Sequence, residues 1–199
     1  MPVPKGTRID PEETQSRLLD TADRLFAARA MHSVGVSEIT AEAGASKLSL
    51  YRYFPSKAEL ASRVAVRRSE RIHAWLRRET AEADAGPDRV LAIFDLLIGW
   101  FAQPQYRGCA VLNAVTDSRG DDEHRVRATA RSHLDSYREL LRARVVEAGV
   151  VDPVRADSLA RQLLLLIEGA TAVTVVDGEE TTAGADARAA AELLLDRAI

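Results

Sequence analysis

Residues 39–60 read Ile39-Thr40-Ala41-Glu42-Ala43-Gly44-Ala45-Ser46-Lys47-Leu48-Ser49-Leu50-Tyr51-Arg52-Tyr53-Phe54-Pro55-Ser56-Lys57-Ala58-Glu59-Leu60. Just ahead of and within this stretch, Val36, Ile39 and Ala43 recur at three- and four-residue steps, which predicts a short helix over 36–43. Gly44, free to take positive φ, breaks it. Ser46 can cap a third helix running to about Phe54. Pro55 and Ser56 interrupt again, and Ser56 with Glu59 predicts a capping box opening a fourth. Two short helices joined at Ala43-Gly44-Ala45-Ser46 have the proportions of a helix-turn-helix. Such a unit needs a small residue where the helices cross, a turn that glycine permits, and a cap on the recognition helix. Lys47, Ser49 and Arg52 can then reach bases or phosphates. Tyr51 and Tyr53 can rest their rings on the domain and point hydroxyls at phosphates, while Phe54 packs in the core.

Outward from this stretch the chain reads as helix throughout. Asp10, Pro11 and Glu13 form a start signal for the first helix, whose Leu18, Leu19, Ala22, Leu25 and Phe26 make one buried stripe. The fourth helix is expected from Lys57 to about Ala83, with Arg67, Arg68 and Arg71 on a solvated face. Gly86-Pro87 opens a fifth, apolar through Val90, Leu91, Phe94, Leu97, Ile98 and Phe101. A short sixth is expected near 109–115, a polar turn over 117–122, and a seventh over 123–148. Pro153 opens an eighth reaching about Val176, and the ninth covers 185–199. No segment alternates with period two for long.

Composition narrows the function classes. The 199 residues are 46% hydrophobic, enough for a buried core, and only 5% aromatic. The net charge of −3 hides an asymmetry: residues 1–80 carry 14 Lys and Arg against 10 Asp and Glu, the remainder 13 against 20. Phosphate backbones attract the first part and repel the second. The longest apolar run, Leu163 to Ile167, is too short to span a bilayer, and the N-terminus has no apolar secretory segment. A single cysteine, Cys109, leaves no intramolecular disulfide and fits a reducing compartment. A cytoplasmic protein without membrane contact is the expectation. Cys109 reads as a buried, inert thiol, and the four histidines show no metal-ligand spacing with it. Neither catalytic residues, metal ligands nor a cofactor are expected.

The stretch over 39–60, with its Tyr-x-Tyr-Phe, Pro-Ser-Lys and Glu-Leu elements, resembles the TetR family of transcriptional regulators. The resemblance covers about residues 12–62 and extends to the rest as a nine-helix outline. It implies an all-α fold, with a three-helix DNA-binding domain at 1–56 and a helical effector-binding and dimerisation domain at 57–199. It implies a dimer bound to a palindromic operator in double-stranded DNA and released by a small-molecule effector, most often as a repressor. The DNA-binding residues carried over are Ser37, Ser46, Lys47, Leu48, Ser49, Tyr51, Arg52, Tyr53 and Lys57. Only three lysines stand against 24 arginines, and Lys47 and Lys57 both fall on DNA-contact positions. Lys57, at a helix N-terminus, would grip a phosphate. The chain departs from the family pattern at Ala30, at Val34-Gly35 where a hydroxyl usually caps the second helix, and at Leu48 in place of a small residue. Ser37 could supply the missing hydroxyl.

In the second part, Phe94, Trp100, Phe101, Cys109, Asn113, His133, Tyr137, Glu168 and Thr171 offer apolar walls with a few polar groups, the requirement of a small-molecule site. Residues 106–114 resemble a segment found in one branch of the family. The eighth helix (Leu159, Leu163, Leu164, Ile167, Ala170, Thr171) and the ninth (Ala190, Leu193, Leu194) are apolar over more than one face, so two copies are expected to pair there. Two other readings compete. A helical small-molecule-binding or catalytic protein whose head no longer reads DNA is opposed by Lys47, Tyr53 and Lys57. An architectural DNA binder is opposed by the acidic body.

Overall fold

The computed structural model describes residues 10–104, 106–117, 123–178 and 181–199. Among these lie nine α-helices, two 3-10 turns and no strand. The helices are α1 (Pro11–Ala28), α2 (Val36–Glu42), α3 (Lys47–Tyr53), α4 (Lys57–Glu79), α5 (Pro87–Phe101), α6 (Ala110–Asp117), α7 (Glu123–Glu147), α8 (Pro153–Asp177) and α9 (Ala183–Asp196). The polar turn expected over 117–122 lies outside the described residues from 118 on. The chain forms two compact units. One gathers the described residues up to Ser69 with Ala110–Arg131, the other Glu70–Cys109 with Ser132–Ile199.

The first unit does not end at residue 56. Its core is Leu18, Ala22, Leu25, Val34, Ile39, Ala43, Leu50 and Phe54, completed by Leu60 and Val64 from the first turns of α4. Arg67 and Arg68 are also not on a solvated face. Arg67 reaches Asp20 at 2.7 Å, while Arg68 pairs with the Asp23 carboxylate and donates to its carbonyl oxygen at 2.5 Å. These pairs clamp α4 to α1. The Arg68–Asp23 pair, shielded on both sides, contributes about 1.5–3 kcal/mol, more than the Arg67–Asp20 pair, whose carboxylate is exposed. Ser62 meets Thr129 of α7 at 2.9 Å, and Glu59 pairs with Arg125 of α7 and with Arg63.

The helix ends follow the sequence closely, with two exceptions in α1 and α2. Asp10 caps α1 by accepting from the Glu12 N–H at 3.0 Å, but the Glu13 carboxylate turns to Arg17 instead of reaching back. No side chain caps α2: Gly35 stands at that position, and Ser37 sits exposed in the first turn. Gly44 ends α2 at φ +61°. Its N–H donates to the Ala41 carbonyl (3.3 Å), and the Ala45 N–H donates to that of Thr40 (2.9 Å), the paired bonds of a Schellman turn. A Cβ at Gly44 would meet nothing within 4 Å, so the backbone conformation, not space, selects glycine.

In the second unit α8 packs against α9 and α5, and α5 against α9. The closest approach involves Gly184, where a Cβ would stand 2.8 Å from Cγ1 of Ile98. The unit's core takes Leu76, Val90, Leu91, Ile93, Phe94 and Leu97 from α4 and α5, Tyr137, Leu141 and Val145 from α7, and Leu195 from α9. Leu159, Leu163, Leu164, Ile167, Ala170 and Thr171 of α8 are buried in this same chain, Leu163 completely. They are therefore unavailable to a second copy, which corrects their assignment to a dimer face. The large apolar residues left exposed on these two helices are Val154, Leu165 (72%), Val173, Val175 and Val176 (83%) on α8, and Leu193 (65%) on α9. By length and composition α8 could cross a membrane, because Ala, Gly and Thr extend its leucine run to a window of mean hydropathy 1.6. In the fold one face of it is core.

Two histidines lie inside the second unit. His73 and His133 are each at most 2% exposed, with Nε2 of His73 at 3.2 Å from Nδ1 of His133 and 3.1 Å from its carbonyl oxygen. A carbonyl only accepts, so His73 carries its proton on Nε2, and its buried Nδ1 is an acceptor left without a partner. Tyr137 packs edge-on to both rings. Burial holds both imidazoles down to a pKa of about 4, against 6.5 when free.

Two predictions follow from the packing. Gly44→Ala should destabilise the first unit by about 1–2 kcal/mol, the cost of placing a Cβ in the left-handed region. Gly44→Asn should cost less, in urea unfolding of the full chain. Second, the folded chain keeps His73 and His133 neutral while the unfolded chain protonates them below pH 6.5. The unfolded state then binds more protons, so their contribution is complete above pH 6.5 and is lost as pH falls toward 4. At pH 5 the loss should be on the order of 2 kcal/mol per imidazole. Replacing His73 and His133 together by Phe and Leu should flatten this part of the stability-against-pH curve.

Candidate nucleic-acid interface and interior site

The Ser46 hydroxyl accepts from the Ser49 N–H at 3.0 Å and meets the Ser49 hydroxyl at 2.9 Å, so the two serines fasten the start of α3 together. Leu50 and Phe54 anchor α3 in the core of the first unit. The opposite face, one and four residues along, presents Lys47, Leu48, Tyr51 and Arg52, all exposed. Leu48, 75% exposed at the first turn of a buried-core helix, is an apolar group with no neighbour to cover it. Tyr53 is half-buried, its ring against the core and edge-on to Phe54 at 6.5 Å.

Charge pairing sorts the basic residues of this unit. Arg17, Arg24, Arg29, Arg63, Arg67 and Arg68 each hold an acidic side chain. Lys47 and Arg52 take part in no ion pair among the described residues. Their charge is available to an incoming anion. Lys57 opens α4, half-buried beside the capping Ser56, whose hydroxyl accepts from the Glu59 N–H at 3.1 Å. The Glu59 side chain turns to arginines, so only half of the expected capping box forms. Ser37 is exposed on α2.

The interior residues divide differently from the sequence reading. Phe94, Trp100, Phe101, Cys109, His133, Tyr137, Glu168 and Thr171 all belong to the second unit. Asn113 does not: it is exposed on α6, in the first. Trp100 packs edge-on to Tyr106 at 5.3 Å and Phe101 tilted against it at 5.0 Å, and His133 Nε2 lies 3.4 Å from Cys109 Sγ. Thr171 is the hydroxyl beside Tyr106, although the buried Tyr106 oxygen makes no bond of good geometry. Burial pushes Tyr106 up to about 12 and Tyr137 well above its usual value, with Cys109 and Glu168 adding to both. Burial alone pushes the Glu168 carboxyl up to about 7. Among the described residues no group of three or more His, Cys, Asp or Glu is placed to hold a metal ion.

His73 and Tyr106 are the members that sequence reading missed. His73 shares a face of α4 with Leu76, a buried register that could have flagged it. Tyr106 follows the aromatic pair Trp100-Phe101 across Pro104, and its proximity in sequence was a usable signal.

Two family models match the chain: "Bacterial regulatory proteins, tetR family" over residues 18–64, and "Tetracyclin repressor-like, C-terminal domain" over residues 86–191. An uncharacterized HTH-type transcriptional regulator of Mycobacterium tuberculosis is 35% identical over 80 residues, which are 40% of this chain and 40% of that protein. The HTH-type transcriptional activator FasR of Mycolicibacterium smegmatis is 27% identical over 156 residues, 74% of this chain and 71% of that one. A crystal structure of a TetR-family transcriptional regulator from Streptomyces coelicolor superposes with a TM-score of 0.78 at 27% identity, covering 94% of this chain and 96% of that one. The motif around Gly44, the nine-helix order and these matches agree, and the chain belongs to the TetR family of bacterial regulators.

Proposed function

We propose that the chain is a homodimeric, cytoplasmic, non-enzymatic regulator that represses by binding a pseudo-palindromic operator and lets go when a small molecule occupies its second unit. The observation that carries the DNA-binding part is the face of α3, where Lys47 and Arg52 stay unpaired while the unit's other arginines named above hold acids. Lys47, Ser49 and Arg52 reach base edges, Leu48 packs on a thymine methyl, and Tyr51, Tyr53 and Lys57 hold phosphates, with Ser37 and Ser46 beside them. The alternative, a head that no longer reads DNA, has no use for this unneutralised face.

The effector part is supported by the buried polar atoms of the second unit that lack partners. An effector would act as a population shift, favouring a state whose two heads no longer match the half-sites. The dimer part is supported by the exposed face of α8 and α9. Leu165, Val173 and Val176 on α8 and Leu193 on α9 are exposed apolar side chains that a second copy would cover by twofold symmetry.

Selection from random duplexes should enrich a pseudo-palindrome whose half-sites lie about 34–36 Å apart, one helical turn. On that site Lys57→Ala should weaken binding to every sequence alike and lower the salt slope by about one. Leu48→Ala should instead relax preference for thymine at a single position, by roughly 1 kcal/mol. Equal affinity for random and selected duplexes at moderate salt would overturn the specific-binding reading. For the dimer, Leu165→Glu should dissociate the copies in sedimentation while leaving helical circular dichroism intact. Leu163→Glu buries an unpaired carboxylate in the chain's own core, so it should unfold the second unit instead, at a cost of several kcal/mol.

A further inference from the structure

Cys109 is not the fully buried thiol that its sequence neighbours suggest. It is half-buried, and His133 Nε2 lies 3.4 Å from its sulfur. The contacts behind that nitrogen decide what it can do. The His133 carbonyl oxygen, 3.1 Å from Nε2 of His73, only accepts, so His73 holds its proton there. The same Nε2–H faces Nδ1 of His133 at 3.2 Å, which makes Nδ1 an acceptor and leaves the His133 proton on Nε2. His133 therefore aims an N–H at the sulfur. Both imidazoles are at most 2% exposed, and Tyr137 packs edge-on to both, which holds the rings in place. Burial keeps His133 down to a pKa of about 4, so at pH 7 it is a neutral donor and not a cation.

A second feature acts on the same sulfur. Cys109 immediately precedes Ala110, the first residue of the eight-residue helix α6, where unpaired N–H groups and the helix dipole favour negative charge. An N–H donor and a helix start both favour thiolate over thiol, and the thiolate is the nucleophile. A thiol that only fills space needs neither.

The surroundings select the reagent. Tyr106, three residues before Cys109, packs with Trp100 and Phe101, and Tyr137 packs on His133. A neutral, apolar electrophile enters such surroundings at less desolvation cost than a peroxide or a charged disulfide. The chain has no second cysteine to resolve an oxidised sulfur as an internal disulfide. Addition to an activated alkene needs neither a leaving group nor a resolving thiol. We propose that Cys109 is a nucleophile that adds to α,β-unsaturated carbonyl compounds, with His133 and His73 as its positioning residues. The thiol gives its proton to solvent, the sulfur lone pair bonds the β-carbon, and the alkene π pair moves onto the carbonyl oxygen as an enolate. Water then protonates the α-carbon, leaving a thioether with no atom or electron unaccounted for. This chemistry is independent of the effector reading above.

The test is the rate at which the full-length protein at pH 7 adds methyl vinyl ketone, followed by intact mass, with N-acetylcysteine as the reference thiol. A free cysteine is only a few per cent thiolate at pH 7, so full thiolate character should give Cys109 a rate constant about tenfold above the reference. One adduct per chain is expected, absent from Cys109→Ser and absent with butanone, which has no alkene. His133→Gln keeps a side-chain N–H donor and should keep most of the rate, whereas His133→Leu should lower it about tenfold. A merely structural histidine would treat the two replacements alike. His73→Leu, which frees the His133 tautomer without touching the sulfur, should lower the rate in part. The comparison of the unaltered protein with N-acetylcysteine decides the matter even if the histidine variants fold poorly. A rate at or below the reference would overturn the proposal. So would a His133→Leu chain that keeps its helical circular dichroism and reacts undiminished. Hydrogen peroxide is run in parallel, and acceleration over the reference for peroxide but not for the enone would overturn the assignment to alkenes.

Discussion

Leu60 and Val64 complete a hydrophobic core that α1, α2 and α3 leave open. Three short helices, two of them only seven residues long, bury too little apolar surface to hold a recognition helix in place. The first two turns of α4 supply the missing wall, and the pairs from Arg67 and Arg68 to Asp20 and Asp23 hold that wall against α1. The same helix continues into the second unit, where Leu76 is core. One helix therefore contributes to two hydrophobic cores, and α7 likewise has residues in both units.

The second unit shows a different economy. Its walls are packed aliphatic side chains, yet it buries His73, His133 and Tyr137 and half-buries Tyr106 and Glu168, with Nδ1 of His73 and the Tyr106 hydroxyl lacking good partners. Burying such groups costs free energy unless they are paired. The opposing pH dependences of the histidine pair and of Glu168 express that cost. Below pH 6.5 the fold resists protons that the imidazoles would take, while above pH 4.5 it resists the charge that Glu168 would take.

Local signals carried most of the fold. Gly44, Ser46 and Ser56 act within a few residues of themselves, so their roles as turn and caps could be read directly and recur in the structure. The first-helix stripe of Leu18, Ala22 and Leu25 was equally legible from period alone. Contacts over long sequence separation were not. Arg67 and Arg68 looked solvated because their partners lie more than 40 residues away on α1. The histidine pair joins positions 60 residues apart. On α8 the difficulty was of another kind: a helix apolar over more than one face has a weakly defined direction, so the sequence could show surplus apolar surface without telling Leu163 from Leu165. For the interior site, residue type pointed to Glu168, Tyr137 and His133, whereas Asn113 was drawn in only by its neighbours in sequence.

The proposed DNA-reading face of α3 is probed most directly by amide hydrogen exchange of the full-length protein with and without its selected operator. New protection is expected over residues 46–57, where α3 and the start of α4 would meet the duplex, with weaker change around Ser37. Protection absent from 46–57 while the complex is saturated, or confined to α5, α8 and α9, would contradict it.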